Sequence, residues 1–120
     1  MDSRCEQFVA LAGDVPAAIA TLRTDLGMAW LGGAATRSRW KRRGAHAALI
    51  AARMRRARRL GCRWAWAETA EGASGSPAAS QRNLMRLGFH QVHVKQTFVW
   101  AARGRSVRRV SRAPAVPERG

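Results

Sequence analysis

The chain has 120 residues, one domain's worth, and its 47% hydrophobic content excludes a wholly disordered protein. It carries 22 Lys+Arg against 7 Asp+Glu, a formal charge of +15, so its partners are polyanionic before they are cationic. Cys5 and Cys62 are too few for a disulfide scaffold and lack metal-ligand spacing, which excludes a metal finger and suits a reduced, cytoplasmic chain. "MDSRCEQ" is too polar for a signal peptide, and no apolar run spans a bilayer; no membrane partner is expected.

"FVAL", Phe8 to Leu11, is a short apolar run ending at the turn signal Gly13-Asp14. "VPAAIATLRT" reads as the return strand, with Pro16 at its start or near an edge. The turn "TDLG", Thr24 to Gly27, leads into a third strand, Met28 to Thr36, in which Gly32 and Gly33 mark a bulge or a close approach. From Gly44 the period changes. Ala47, Ile50, Ala51, Met54 and Ala57 recur at helical spacing, and Arg53, Arg55, Arg56, Arg58 and Arg59 populate the rest as a solvated face. Leu60-Gly61 ends this helix of residues 44–60.

"CRWAWAET", 62–69, alternates Cys62, Trp64, Trp66 and Glu68 against Ala65, Ala67 and Thr69; the small face suits a helix, and core packing is the default for both tryptophans. A helix between two strands makes a parallel βαβ step. Residues 70–78 read as a flexible loop. Ser80 caps a short helix, 80–87, that Gly88 ends. "FHQVHVKQTFVWA", from Phe89, alternates as a last strand, and 102–120 is a disordered basic tail. The fold class is thus α+β: antiparallel strands over 7–36, then a parallel step, in a domain of residues 1–101.

The stretch "WKRRGAHAALIAARMRRARRLGC", Trp40 to Cys62, places cations and one glycine directly before a helix. Helix starts leave N–H groups unpaired and carry partial positive charge, so they bind phosphate; Gly44 lets several N–H groups converge. A plain solvated basic turn reads the same residues with less.

That stretch together with "LGGAATRSR" before it, "ET" after it and "SQRNLMRLGF" strongly resembles the GNAT superfamily of acyl-CoA N-acyltransferases, over residues 7–101. The resemblance implies a turn whose amides hold the CoA pyrophosphate: Lys41 stands at its first position, Gly44 at the second and His46 at the third, with Arg42, Arg43 and Ala45 between. It also implies that backbone N–H groups near Ala34, Ala35 and Thr36 run beside pantetheine, and that Asn83 contacts the cofactor arm. Acetyl-CoA is then the cosubstrate and a small-molecule or peptide amine the acceptor. Leu84 stands where many members have a tyrosine, and this chain has no tyrosine. His46 replaces a small residue and is expected to face solvent. Members open with a strand and two helices that do not precede Phe8 here, so the expectation is either that a homodimer or a companion chain covers their place or that this is a truncated copy of the fold.

Glu68 lies at a strand end where a general base reaches an amine; pairing to a nearby arginine is its plainer role. His90 and His93 read as strand-surface residues, and Ser80 as a cap with no triad. Two functions from different classes follow: a CoA-dependent N-acetyltransferase acting in a ternary complex, or a degenerate copy of the fold that binds nucleic acid through Arg53–Arg59 and the tail.

Overall fold

The computed structural model describes residues 3–69, 79–96 and 98–102. Its sheet is built from β1 (Arg4–Ala12), β2 (Val15–Asp25), β3 (Met28–Thr36) and β4 (Trp64–Ala67), in that order across the sheet. The first three are antiparallel neighbours, and β4 runs parallel to β3. Two tight turns make the meander. Leu26 (φ 50°) and Gly27 (φ 76°) are both left-handed, the mirror-image turn whose twist matches that of its strands. Pro16 sits at the β1–β2 register shift, where its missing N–H costs least.

One face of the sheet carries α1 (Ala45–Arg59) and α2 (Ala79–Arg86). Alternation along β2 and β3 turns Leu22, Ala29 and Leu31 toward α1, where Ile50 and Ala57 meet them. Ala18 and Ala20 meet Leu49 in a second small cluster. Side chains as deeply buried as Leu22 and Ile50 contribute about 1.5–3 kcal/mol each relative to exposure. Ala65 and Ala67 of β4 pack on this core, so the small face does lie under the helix. At the far side of the sheet's edge, Arg56 on α1 makes a bidentate pair with Glu6 on β1, at 2.9 and 3.0 Å. None of the described helices is long and apolar enough to cross a membrane.

Several expectations are corrected. Trp64 and Trp66 are not core residues: they are 68% and 43% exposed, because both helices lie on the alanine side. Val9, Leu11, Ile19 and Met28 share that uncovered face and are likewise exposed. The ladder strand is shorter than 62–69, since β3 and β4 pair only from Met28↔Trp64 to Leu31↔Ala67. No strand forms among the described residues from Phe89 onward; Val92, Phe98 and Trp100 are more than 80% exposed. Alternation alone makes no strand without a neighbour to complete its hydrogen bonds. Ser80 lies within α2, not before it, and its hydroxyl donates to Thr69 Oγ1 at 3.3 Å. The basic helix face is also interrupted, because Arg53 is 2% exposed, the largest buried side chain of α1. The loop at 70–78 and the tail beyond Ala102 lie outside the described residues.

Candidate functional site

The site begins where the sheet opens. β3 and β4 part after Leu31 and Ala67, so Gly32 onward and Glu68 onward leave the shared ladder. On its other edge β3 bulges: Ile19 pairs with Ala35 but Thr21 with Gly32, three residues of β3 against two of β2. Gly33 carries this irregularity in the left-handed region (φ 58°), and a Cβ there would meet Thr21 Oγ1 at 3.0 Å. Gly32 is constrained differently. The Trp30 ring lies over it, so an added Cβ would fall 2.2 Å from that ring.

Between the parted strands lies a cavity of 290 Å³. Gly32, Gly33 and Ala34 form one wall, and Glu68 and Thr69 the opposite one. His46, Ile50 and Arg53 of α1 form its floor, with Leu84 of α2 beside them. Leu84 is buried in the core, so the position where many members of the resembled family have a tyrosine is filled by packing.

From β3 the chain passes through a short 3-10 turn, Ser38–Trp40, into Lys41 and the start of α1. Arg42 (φ 64°) and Gly44 (φ 82°) are both left-handed, and the space where a Gly44 Cβ would sit is empty. Among the described residues no side chain caps α1, its first turn has no acidic residue, and the first helical bond runs from Ala48 N to Gly44 O at 2.9 Å. The N–H groups of Ala45 to Ala47 therefore point out of the helix start without a capping partner. Lys41, Arg42 and Arg43 are exposed around this turn. The Arg39 and Arg43 guanidiniums lie 5.6 and 5.2 Å from the centre of the Trp40 ring, which gathers their charge at the same place. The turn thus presents unpaired N–H groups and cations to solvent, and it is continuous in chain with the cleft wall.

The structure brings Ala34, His46 and Glu68 to the cavity, and Asn83 to its rim. Ala35 and Thr36 lie just outside it, paired to Ile19 and Ala18 of β2. His46 corrects the expectation of a solvent-facing ring: it is half-buried, and its Nδ1 stands 3.1 Å from Asn83 Nδ2. The amide nitrogen can only donate, so His46 Nδ1 accepts and the ring proton sits on Nε2. Burial, and then the charge of Arg53, hold its pKa below the ordinary histidine value. His46 is therefore a neutral donor at pH 7. Glu68 pairs with Lys95, not with an arginine, and both side chains are about half exposed.

Arg53 is the residue that sequence reasoning missed. Its Nε donates to Leu49 O at 3.0 Å, and its Nη1 to Thr21 O at 3.0 Å and Gly32 O at 3.4 Å, across the β2–β3 bulge. Spacing held the signal: Arg53 stands three residues after Ile50 and four before Ala57, on the inward stripe. Among the described residues, no three His, Cys, Asp or Glu side chains gather as a metal site would require.

No family model and no curated protein matches the chain. Solved structures do. The aminoglycoside N-acetyltransferase AAC(6')-Iy, in complex with the bisubstrate analogue CoA-S-monomethyl-acetylneamine, superposes at a TM-score of 0.60 with 23% identity, covering 82% of this chain and 69% of its own. A transcriptional regulator from Bacillus halodurans C-125 gives a TM-score of 0.67 at 23% identity, covering 82% and 68%. The ribosomal-protein-S18-alanine N-acetyltransferase from Escherichia coli gives 0.63 at 26% identity, covering 75% of this chain and 56% of its own. The meander, the bulged β3, the parallel step to β4 and the two helices on one face are, together, the GNAT acyltransferase fold.

Proposed function

We propose that the chain is an N-acetyltransferase that moves the acetyl group of acetyl-CoA to a primary amine, on a small molecule or a peptide, by direct attack in a ternary complex. One observation carries the reading: an opening between parallel strands that runs to an uncapped helix start ringed by cations. Two ends of different chemistry suit a ligand with a diphosphate at one end and a thin, amide-bearing arm at the other. Solved neighbours of the same fold hold CoA or a CoA analogue.

In this reading the amides of Lys41 to His46, with Gly44 at the bend, take the pyrophosphate, and Arg42 and Arg43 add mobile charge. The arm follows Thr36, Ala35 and Ala34 inward, beside Asn83. A β3 amide at the bulge polarises the thioester carbonyl and stabilises the oxyanion. The amine must lose a proton, and Glu68 is the carboxylate within the cavity wall able to take it, directly or through water. Leu84 offers no proton to the departing thiolate, which solvent protonates instead.

The nucleic-acid reading has less support. Arg53 is buried and Arg56 is held by Glu6, so the helix does not present a continuous cationic stripe.

Gly44→Glu tests the assignment, with Gly44→Asn as the control for the left-handed backbone. Calorimetry should find acetyl-CoA binding abolished in the glutamate variant and retained in the asparagine variant. Unchanged affinity in Gly44→Glu removes the pyrophosphate from this turn.

A further inference from the structure

Among the described residues, Arg53 has no counter-charge. Its side chain is 2% exposed, yet its hydrogen-bond acceptors are the neutral carbonyls of Leu49, Thr21 and Gly32. Buried guanidinium groups normally face a carboxylate, because desolvation of an unpaired ion is strongly unfavourable. The cavity's own carboxylate, Glu68, is engaged by Lys95, and Glu6 by Arg56. Nη1 alone clamps the bulge. Nη2 donates to no described residue, and the side chain forms part of the cavity floor.

Its depth sets which part of a bound acyl-CoA reaches it. Arg53 stands nine positions after Gly44, about 13–14 Å along α1 at the helical rise. Gly32, whose carbonyl it touches, lies four positions before Thr36, about 13 Å back along β3. A pantetheine arm has about as many chain bonds as four extended residues, roughly 13–14 Å. An arm anchored at the Gly44 turn thus ends at Arg53.

We propose that Arg53 Nη2 receives a carboxylate carried on the acyl chain, so that the site prefers a carboxyacyl thioester, of the succinyl type, over an uncharged acyl chain. The inference rests on the acyl-CoA reading above and specifies its donor. The transfer itself keeps its balance: the amine nitrogen forms the C–N bond, the C–S bond breaks with its electron pair on sulfur, and the amine's surplus proton leaves to the base. The carboxylate is a handle, held but not consumed.

Succinyl-CoA and butyryl-CoA have acyl chains of equal length and differ in that charge. Calorimetry on the wild-type chain should find succinyl-CoA bound at least about tenfold more tightly, as one charge-assisted hydrogen-bond pair requires. Arg53→Met should reduce that ratio to about one while leaving free CoA affinity within a few-fold. Arg53→Lys, which keeps the charge without the fork, should retain part of the preference and serves if the methionine variant fails to fold. Equal binding of the two thioesters by the wild type overturns the inference and leaves the acyl-CoA reading standing. Failure of free CoA to bind overturns that reading instead. Lost acetyl transfer in Arg53→Met, with no donor preference in the wild type, assigns Arg53 to the bulge alone and also overturns the proposal.

Discussion

Asn83 Nδ2 stands 3.1 Å from His46 Nδ1, joining α2 to the first turn of α1 across 37 positions of sequence. The contact fixes which ring nitrogen of His46 carries the proton, and it ties the helix that borders the cavity to the turn that opens it. His46 is held neutral by burial and by the charge of Arg53.

The sign of its pH dependence follows. The unfolded chain takes a proton at His46 near the ordinary value of 6.5, whereas the folded chain resists it to lower pH. As pH falls below 6.5 the unfolded state binds more protons, and stability drops until the folded pKa is passed. His46→Gln should remove this component. Thermal unfolding at pH 7.5 and pH 5 should show a smaller acid loss in the variant than in the wild type. Parallel losses would show that His46 titrates normally. (The two pH values bracket the histidine range.)

Glu68 and Lys95 are predicted to separate chemistry from binding. Glu68→Gln should lower kcat by about 10²-fold or more, the scale of general-base catalysis, with acetyl-CoA affinity nearly unchanged. Lys95→Met should preserve kcat, because the lysine holds the carboxylate without supplying it. Steady-state kinetics across pH checks both. Equal turnover in Glu68→Gln removes the base role.

Trp30 lies over Gly32 and packs tilted against Trp66, with ring centres 5.9 Å apart. A methyl group at position 32 would strike that ring, whose Nε1 is buried without a partner among the described residues. Gly32→Ala should therefore displace Trp30 and destabilise the chain by about 1–3 kcal/mol, the range of overpacking. Near-ultraviolet circular dichroism should lose the signal of the tryptophan pair. An unaltered spectrum with full stability would contradict the close approach.

At the far edge of the sheet, the hydrogen bonds and charge of Arg56 hold the Glu6 carboxyl below its ordinary value of 4.5, with burial opposing. A depressed carboxylate stabilises the fold above its unfolded pKa and loses that stabilisation as pH falls through its folded one. Wild type and Glu6→Gln should thus differ in denaturation midpoint at pH 7 and converge at acid pH. The difference should also shrink at high salt, since both groups are partly exposed. A constant gap at all pH values would show that the pair does not titrate with folding.

Local chemistry already determined the meander, the long helix and the parallel step. Glycine, proline and aspartate punctuate the strands, and a change from period two to period 3.6 after Gly44 announces α1. The turn at Gly44 was legible for the same reason: left-handed backbone and an uncapped helix start depend on neighbouring residues in the chain. Tertiary structure alone decided which faces were covered. The alternation of Trp64 and Trp66 was real, but both helices settled on the alanine side, leaving the tryptophans outward. The alternation after Phe89 lacked a partner strand to make it a ladder among the described residues. Arg53 and His46, read as surface residues from their type, went inward because burial is set by contacts from β2, β3 and α2, tens of positions away. A residue's charge is written in sequence, but the dielectric and the partners that give that charge a use are assembled only by the fold.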